Sequence, residues 1–203
     1  ARIQFNAKVN DRTEAVARIK GAYTFGDANG STAVSLDRAY VNHKFGERVS
    51  AKAGRFGQTF GSGLAYDSTF DGAQFNAGND KVAFQAAYGY LTSSNVKTTA
   101  GAVDKDANAE VVYLGLNGKV GKHADVGGFY ARFNDSKALG VAATDGGSAK
   151  YNVYKNVYGF NANTNFDKVW VGGEWVKASN VKDSTAWTAG VGYGRSEEHT
   201  SEL

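Results

Sequence analysis

The first ten residues, ARIQFNAKVN, alternate without a fault, with Ile3, Phe5, Ala7 and Val9 apolar and Arg2, Gln4, Asn6 and Lys8 polar. Period two over this length requires a strand with one apolar and one wet face, since a helix would scatter the same residues around its surface. The pattern returns along the chain. Ala15, Ala17, Ile19, Gly21, Tyr23 and Phe25 oppose Glu14, Arg18 and Lys20, and then Ala39, Val41 and Phe45 oppose Arg38, Tyr40, Asn42 and Lys44. Val49 to Ala53 continues it. After an interruption it resumes at Gly72 to Gly78, Lys81 to Thr92, Glu110 to Asn117, Ala124 to Phe133, Lys150 to Asn163, Val169 to Ala178 and Ala186 to Tyr193. The expectation is an all-β chain of about eleven strands, each long enough to cross a bilayer core when tilted.

The connections alternate short and long in strict order. Asp11-Arg12, Gly46 to Arg48, Asn79-Asp80, GKVGKH and Thr164 to Asp167 are tight, whereas the connections between them are long and polar. Antiparallel up-and-down transmembrane β-barrels have this rhythm, with short periplasmic turns and long external loops. A soluble β-sandwich has less reason to alternate its loops so regularly. The chain has no apolar run of the length that a membrane helix needs. Its mean hydropathy of -0.41 is that of a soluble protein, which a barrel also shows because only alternate residues meet lipid. Tyr23, Phe25, Phe45, Tyr90, Phe133 and Tyr193 fall toward strand ends, where a headgroup girdle places aromatics; in a sandwich the same residues would fill a core. If the long loops are external, Arg2 to Val9 runs inward and the last strand stops where a periplasmic turn begins. The barrel is therefore expected to be incomplete within these residues.

Several function classes drop out. The chain has no Cys, which excludes thiolate chemistry and a disulfide framework. A formal charge of +3 with no basic run gives no nucleic-acid footprint. Gly190, Gly192 and Gly194 form a GxGxG within a strand, without the helix that a dinucleotide site needs. His43, His123 and His199 lack metal-ligand spacing, and Glu14, Asp125 and Glu174 are isolated acids with no partner identifiable by spacing. No nucleophile motif accompanies them, so neither an enzyme nor a cofactor is expected. From Arg195 the alternation stops, and RSEEHTSEL resembles the in-frame translation of a sequencing-library adapter. Residues 1–194 are read as the barrel fragment and 195–203 as an artefactual tail.

The interruption, AGRFGQTFGSGLAYDSTFDGAQF from Ala53 to Phe75, reads as a glycine-rich loop between two strands that folds into the lumen and sets the width and charge of a pore. Arg2, Lys8, Arg18, Lys20, Arg38, Lys44, Lys52 and Arg132 lie on the polar faces of strands. In a soluble sheet such a row is a solvated face; in a barrel it lines the lumen, where charge tunes ion selectivity. Arg18, Arg38 and Arg55 are expected to cluster at one depth opposite Asp67 and Asp71 and form the constriction, with Lys8, Lys20, Lys44, Lys52 and Arg132 lining the rest.

With AGRFGQTFGSG, YDSTFDGAQF and DRAYVNHKF in view, residues 1–194 resemble bacterial outer-membrane porins, specifically the S-layer-homology-domain porins of diderm Firmicutes. In general porins a strand ending in Gly-Arg, an infolded loop and a strand opening near Asp-Gly build the constriction; Gly54, Arg55, Asp71 and Gly72 match that pattern. The resemblance implies an outer-membrane location in contact with lipid, passive diffusion of small hydrophilic solutes and ions, a homotrimer, and a peptidoglycan-binding domain outside these residues. The alternatives are a non-conducting structural or adhesive barrel and a soluble carbohydrate-binding β-sandwich.

Overall fold

The computed structural model describes residues 1–22, 33–92, 96–97, 103–104, 108–134, 139–145, 148–179 and 183–194. Among these, the strands are β1 (Arg2–Asn10), β2 (Thr13–Ala22), β3 (Ala33–Lys44), β4 (Val49–Phe60), β5 (Tyr66–Gly78), β6 (Val82–Leu91), β7 (Val96–Lys97), β8 (Val103–Asp104), β9 (Ala109–Val120), β10 (Ala124–Phe133), β11 (Leu139–Asp145), β12 (Ser148–Tyr154), β13 (Asn156–Phe166), β14 (Val169–Ala178) and β15 (Thr185–Tyr193). They form an 11-stranded sheet in the order β1-β2-β3-β4-β5-β6-β9-β10-β13-β14-β15 and a 4-stranded sheet, β12-β11-β7-β8, built from two of the long connections. The all-β, antiparallel, up-and-down architecture expected from the alternation is the one observed. Among the described residues β1 pairs with β2 alone and β15 with β14 alone, so the large sheet has two free edges. Tyr23, Phe25 and residues 195–203 lie outside the described residues.

Cross-strand register sorts the side chains into two faces. One row runs through Phe5, Ala17 and Ala39, continues on the same face of β3 from Val41 to Ala53, and then passes through Ala73, Tyr88, Val112 and Arg132. On this outer face large apolar residues stand exposed, among them Ile3, Phe5, Phe75, Leu114, Leu116, Phe160, Trp187 and Val191. The inner face carries Gln4, Arg18 and Arg38 on β1 to β3, amides such as Gln74, Gln85, Asn117 and Asn161 lower down, and a buried apolar group on β6 to β14. A folded protein that leaves its apolar face uncovered and buries amides has reversed the usual soluble partition.

The expected loop between Ala53 and Phe75 is instead a long hairpin. β4 and β5 stay paired from Val49↔Ala77 to Phe60↔Tyr66, and only residues 61–65 turn. The inward fold is nonetheless present. β3 stops pairing with β4 at Ala39↔Arg55, immediately after Gly54, whose φ of 121° belongs to glycine and at which a Cβ would stand 2.2 Å from the Ala39 carbonyl oxygen. Beyond this point β4 leaves the wall. Its inner row, Phe56, Gln58 and Phe60, packs with Phe70 onto Leu91, Val111, Tyr113, Phe129 and Phe133. Phe60 stacks on Tyr113 at 4.5 Å between ring centroids. The tip reaches β14, where Glu174 accepts hydrogen bonds from its backbone. On a flat sheet β5 and β14 would lie five strand spacings apart, about 24 Å, and the hairpin beyond Thr69 extends only about 17 Å. The sheet must therefore curve around the hairpin.

Phe133 corrects one expectation. It lies on the inner face, 2% exposed, inside the core beneath the hairpin, so it belongs to no outer aromatic girdle. Phe45 and Tyr193 are exposed at the short-turn end.

Because Phe60 is held by rings on β9 and β10 as well as by Tyr66, Phe60→Ala is expected to cost about 3–5 kcal/mol. Urea titration of the detergent-folded chain, followed by tyrosine and tryptophan emission, reads this. A loss below about 1 kcal/mol, within the usual range of a surface change, would mean that the hairpin does not pack as described.

Candidate functional site

The hairpin's second row explains the site. Parity would point Arg55, Gly57 and Thr59 outward with Ala51 and Ala53, but the bend after Gly54 turns this row to face β1, β2 and β3. Asp71, Thr69 and Asp67 accompany it on β5. A cavity of about 680 Å³ lies between, lined by Arg2, Arg18, Lys20, Asp37 and Arg38 on the wall and by Gly57, Thr59, Ser62, Asp67, Ser68 and Thr69 on the hairpin.

Arg18 and Arg38 are direct cross-strand partners, and the register shifts just beyond them, between Arg18 and Ile19. This bulge inserts Asp37 into the wall. Arg18 Nε donates to Asp37 Oδ2 at 2.6 Å, and Arg2 Nε lies 3.9 Å from the same oxygen. Arg18 is 6% exposed, and a cation that far from water is retained because it is paired. The Arg38 guanidinium lies against Gly57, where a Cβ would come within 2.5 Å of Nη1. Its Nε is buried with no hydrogen-bond partner.

Across the cavity Asp67 accepts a hydrogen bond from Thr59 Oγ1 at 2.9 Å, so its partner is the hairpin's own hydroxyl. Arg55 and Asp71 form a bidentate pair at the hairpin base, Nε to Oδ1 at 2.7 Å and Nη2 to Oδ2 at 2.6 Å, and Arg55 Nη1 donates to the Leu36 carbonyl at 3.1 Å. Of the five residues expected at a constriction, Arg18, Arg38 and Asp67 thus line one cavity, while Arg55 and Asp71 join hairpin to wall beside it. Their neighbours in the strand, Gly54 and Gly72, are also direct partners, so the four residues behind the family resemblance form two adjacent rungs of one ladder.

The remaining expected lining residues separate. Lys20 lines the same cavity. Lys52 sits on the inner face with Nζ 5.2 Å from the ring centroids of both Tyr40 and Phe56, a cation–π clasp over the hairpin root. Lys44 lines a second cavity of about 660 Å³ at the short-turn end, with Arg12, Arg48, Asn76, Gln85 and Asn117. Lys8 pairs with Asp11 at 2.8 Å, both exposed at the first turn. Arg132 lies on the opposite face of β10 from Phe129, Ala131 and Phe133, in the row of Val112 and Tyr130. The alternation was correct there, but the apolar set is the inner one.

Glu174 is the site residue that sequence reasoning missed. It is 4% exposed, and its Oε1 and Oε2 each accept a backbone N–H at 2.8 Å, from Ser62 and Leu64 respectively. Gly61 is required beside it, with φ of 60° and room for no Cβ within 2.0 Å of Glu174 Oε1. The available signal was a carboxylate at an inward position between Val176 and Gly172. Beneath the hairpin Gln58 Nε2 donates to Gln85 Oε1 at 2.7 Å, and Gln85 Nε2 to Asn76 Oδ1 at 3.1 Å. These amides fix the hairpin's height above the wall as Glu174 fixes its tip.

No protein-family model matches the chain, and no curated protein matches it. Among solved structures it is similar to the siderophore receptor PiuA from Acinetobacter baumannii, at 12% sequence identity and a TM-score of 0.39. The match covers 94% of this chain and 35% of that one, so the chain spans about a third of the receptor's length.

Glu174→Gln keeps the shape but replaces a two-oxygen acceptor by one carbonyl and one amide donor, and should loosen the tip by about 1.5–3 kcal/mol, the range for hydrogen bonds to a charged group. Hydrogen exchange at the Ser62 and Leu64 amides should accelerate by at least about tenfold, with exchange on β9 unchanged. Equal exchange in both proteins would remove Glu174 as the anchor.

Proposed function

We propose that the chain forms wall and constriction of a water-filled channel in a bacterial outer membrane, through which small hydrophilic solutes and ions diffuse passively. The observation that carries this reading is the reversed partition around a folded-in hairpin. The sheet's outer face exposes Phe5, Leu116, Phe160, Trp187 and Val191, a surface that water disfavours and lipid accepts, whereas its inner face carries charged and amide side chains around open volume. Alternate apolar-out and polar-in residues with short turns at one end are what a membrane-spanning sheet requires.

The hairpin supports conduction rather than mere anchoring. It places Asp67 and a row of hydroxyls opposite Arg2, Arg18, Lys20 and Arg38, and rings of charged side chains at a narrowing are how pores discriminate ions. Membership of the S-layer-homology porins and assembly as a homotrimer belong to the same proposal, on the strength of the Gly54-Arg55 and Asp71-Gly72 resemblance. A non-conducting barrel is the second reading. It is favoured by the apolar packing of Phe56, Phe60 and Phe70, which fills the interior on one side of the hairpin.

Conductance decides between them. The full chain, folded in detergent and added to a planar bilayer, is expected to give stepwise current increments; well-folded protein that inserts without current would establish the non-conducting barrel. The lipid assignment has its own test. Leu114→Arg, on the outer face of β9, is expected to cost about 2–4 kcal/mol of membrane stability and to reduce the fraction folded into vesicles, whereas the inner-face Asn117→Arg should be tolerated. Equal behaviour of the two would overturn the assignment of faces.

A further inference from the structure

We propose that the cavity between the arginine wall and the hairpin is a binding subsite for small hydroxylated phosphate monoesters, such as sugar phosphates. The proposal rests on the channel reading above and names the solute class for which that channel is built. Four cations, Arg2, Arg18, Lys20 and Arg38, line one volume of about 680 Å³ with two carboxylates, Asp37 and Asp67. Asp37 is shared by Arg18 and Arg2, and Asp67 is engaged by Thr59. No ion pair among the described residues crosses the cavity. The wall therefore retains positive charge along the open volume.

A phosphate monoester suits this arrangement better than a halide or a single carboxylate does. Its charge approaches two units near neutrality, which matches the two cations left over after Asp37 and Asp67 are counted. Its oxygens accept several donors at once, and planar guanidinium groups address such oxygens in pairs. The far side of the cavity is a different chemistry: Thr59, Ser62, Ser68 and Thr69 line it, hydroxyls that both donate and accept and so match the ring hydroxyls of a sugar. The volume lies within the range of small-molecule sites. Charge on one wall and hydroxyls on the other would orient such a solute, phosphate toward β2 and β3 and ring toward the hairpin.

The full chain folded in detergent is titrated with glucose 6-phosphate, glucose and inorganic phosphate by calorimetry, which needs no conduction. Saturable binding of glucose 6-phosphate at least about tenfold tighter than that of inorganic phosphate, with none for glucose, is expected. Lys20→Gln and Arg38→Gln should each weaken it by about tenfold, the consequence of losing one charge-assisted hydrogen bond. Arg48→Gln, in the other cavity, should leave it unchanged. Far-UV dichroism identifies any variant that fails to fold, and Lys20→Gln, exposed on β2, then carries the test. In planar bilayers the same solute should produce concentration-dependent blocking events that Arg38→Gln shortens. Equal affinity for glucose 6-phosphate and inorganic phosphate would overturn the proposal in favour of a general anion field, and so would indifference to both cavity variants. Calorimetric binding without any current would leave the subsite standing and remove the channel; current without binding would do the reverse.

Discussion

Everything distinctive in this molecule follows from the point at which β4 leaves the wall. A strand in a continuous sheet has no choice of faces, because each side chain's direction is set by its parity. At Gly54 that rule is kept in sequence and broken in space. Gly54 and Gly72 are partners across the β4-β5 ladder, and a Cβ on either would meet a neighbouring strand's carbonyl oxygen, that of Ala39 at 2.2 Å or of Tyr88 at 2.3 Å. With both side chains absent, β4 and β5 bend together without unpairing. The row that was inner becomes the underside of a hairpin, and the row that was outer becomes the face opposite the arginines. Two environments are served by one uninterrupted alternation.

What holds the hairpin down and what places its tip are different interactions of different size. Phe56, Phe60 and Phe70 are almost wholly buried, and full burial of such side chains is worth about 1.5–3 kcal/mol each. Together they exceed what the two hydrogen bonds to Glu174 can contribute. Apolar contact has little directionality, however, and would permit the hairpin to slide along β9 and β10. The carboxylate does not permit that. Two oxygens accepting two backbone amides at fixed spacing define one position for residues 61–64, and the Gln58 to Gln85 bond defines the height. The aromatic residues thus supply most of the stability, while Glu174 and the amides determine the shape of the remaining opening.

This division accounts for how far the sequence could be read. Strands, register of faces and short-turn end were legible because β1, β2 and β6 each have one consistently polar or apolar set. In sequence the hairpin reads as a loop because Gly54, Gly57, Gly61 and Gly63 look like loop residues, whereas Gly54 marks a bend, Gly61 and Gly63 a turn, and Gly57 makes room for Arg38. Arg132 and Phe133 mislead in sequence for a related reason. β9 and β10 carry apolar residues on both faces, as in Val111 to Leu114, with exposed apolar positions on the outer side and the hairpin's underside packed against the other. Such a two-sided run is the mark of a strand covered twice, and polarity alone cannot say which side is inside. Glu174 was illegible because its partners are 110 and 112 residues away, and they are backbone amides that carry no sequence signal.

The arginine wall carries a tension that the bulge resolves. Arg18 and Arg38 stand directly opposite each other on β2 and β3, and like charges in that position are destabilising. A regular ladder would leave the repulsion uncompensated, since the next inward positions on these strands are Val16 and Tyr40 on one side and Lys20 on the other. The extra residue at the register shift brings Asp37 to the inner face without exchanging the faces of the strands on either side, so Ile19, Leu36 and Val34 remain outward. One carboxylate then offsets part of the charge of Arg18 and Arg2. Complete neutralisation would need a second acid at this level; the wall lines the cavity with Asp37 alone, and Glu14, farther along the same face of β2, meets Asn42 instead. Removing the bulge would slip the remainder of β3 by one position and carry Leu36 and Val34 inward while Ser35 turned outward. The irregularity therefore maintains two conditions at once: an apolar outer face on β3 from Val34 to Val41, and an inner wall whose positive charge is reduced to what the fold can hold but not abolished.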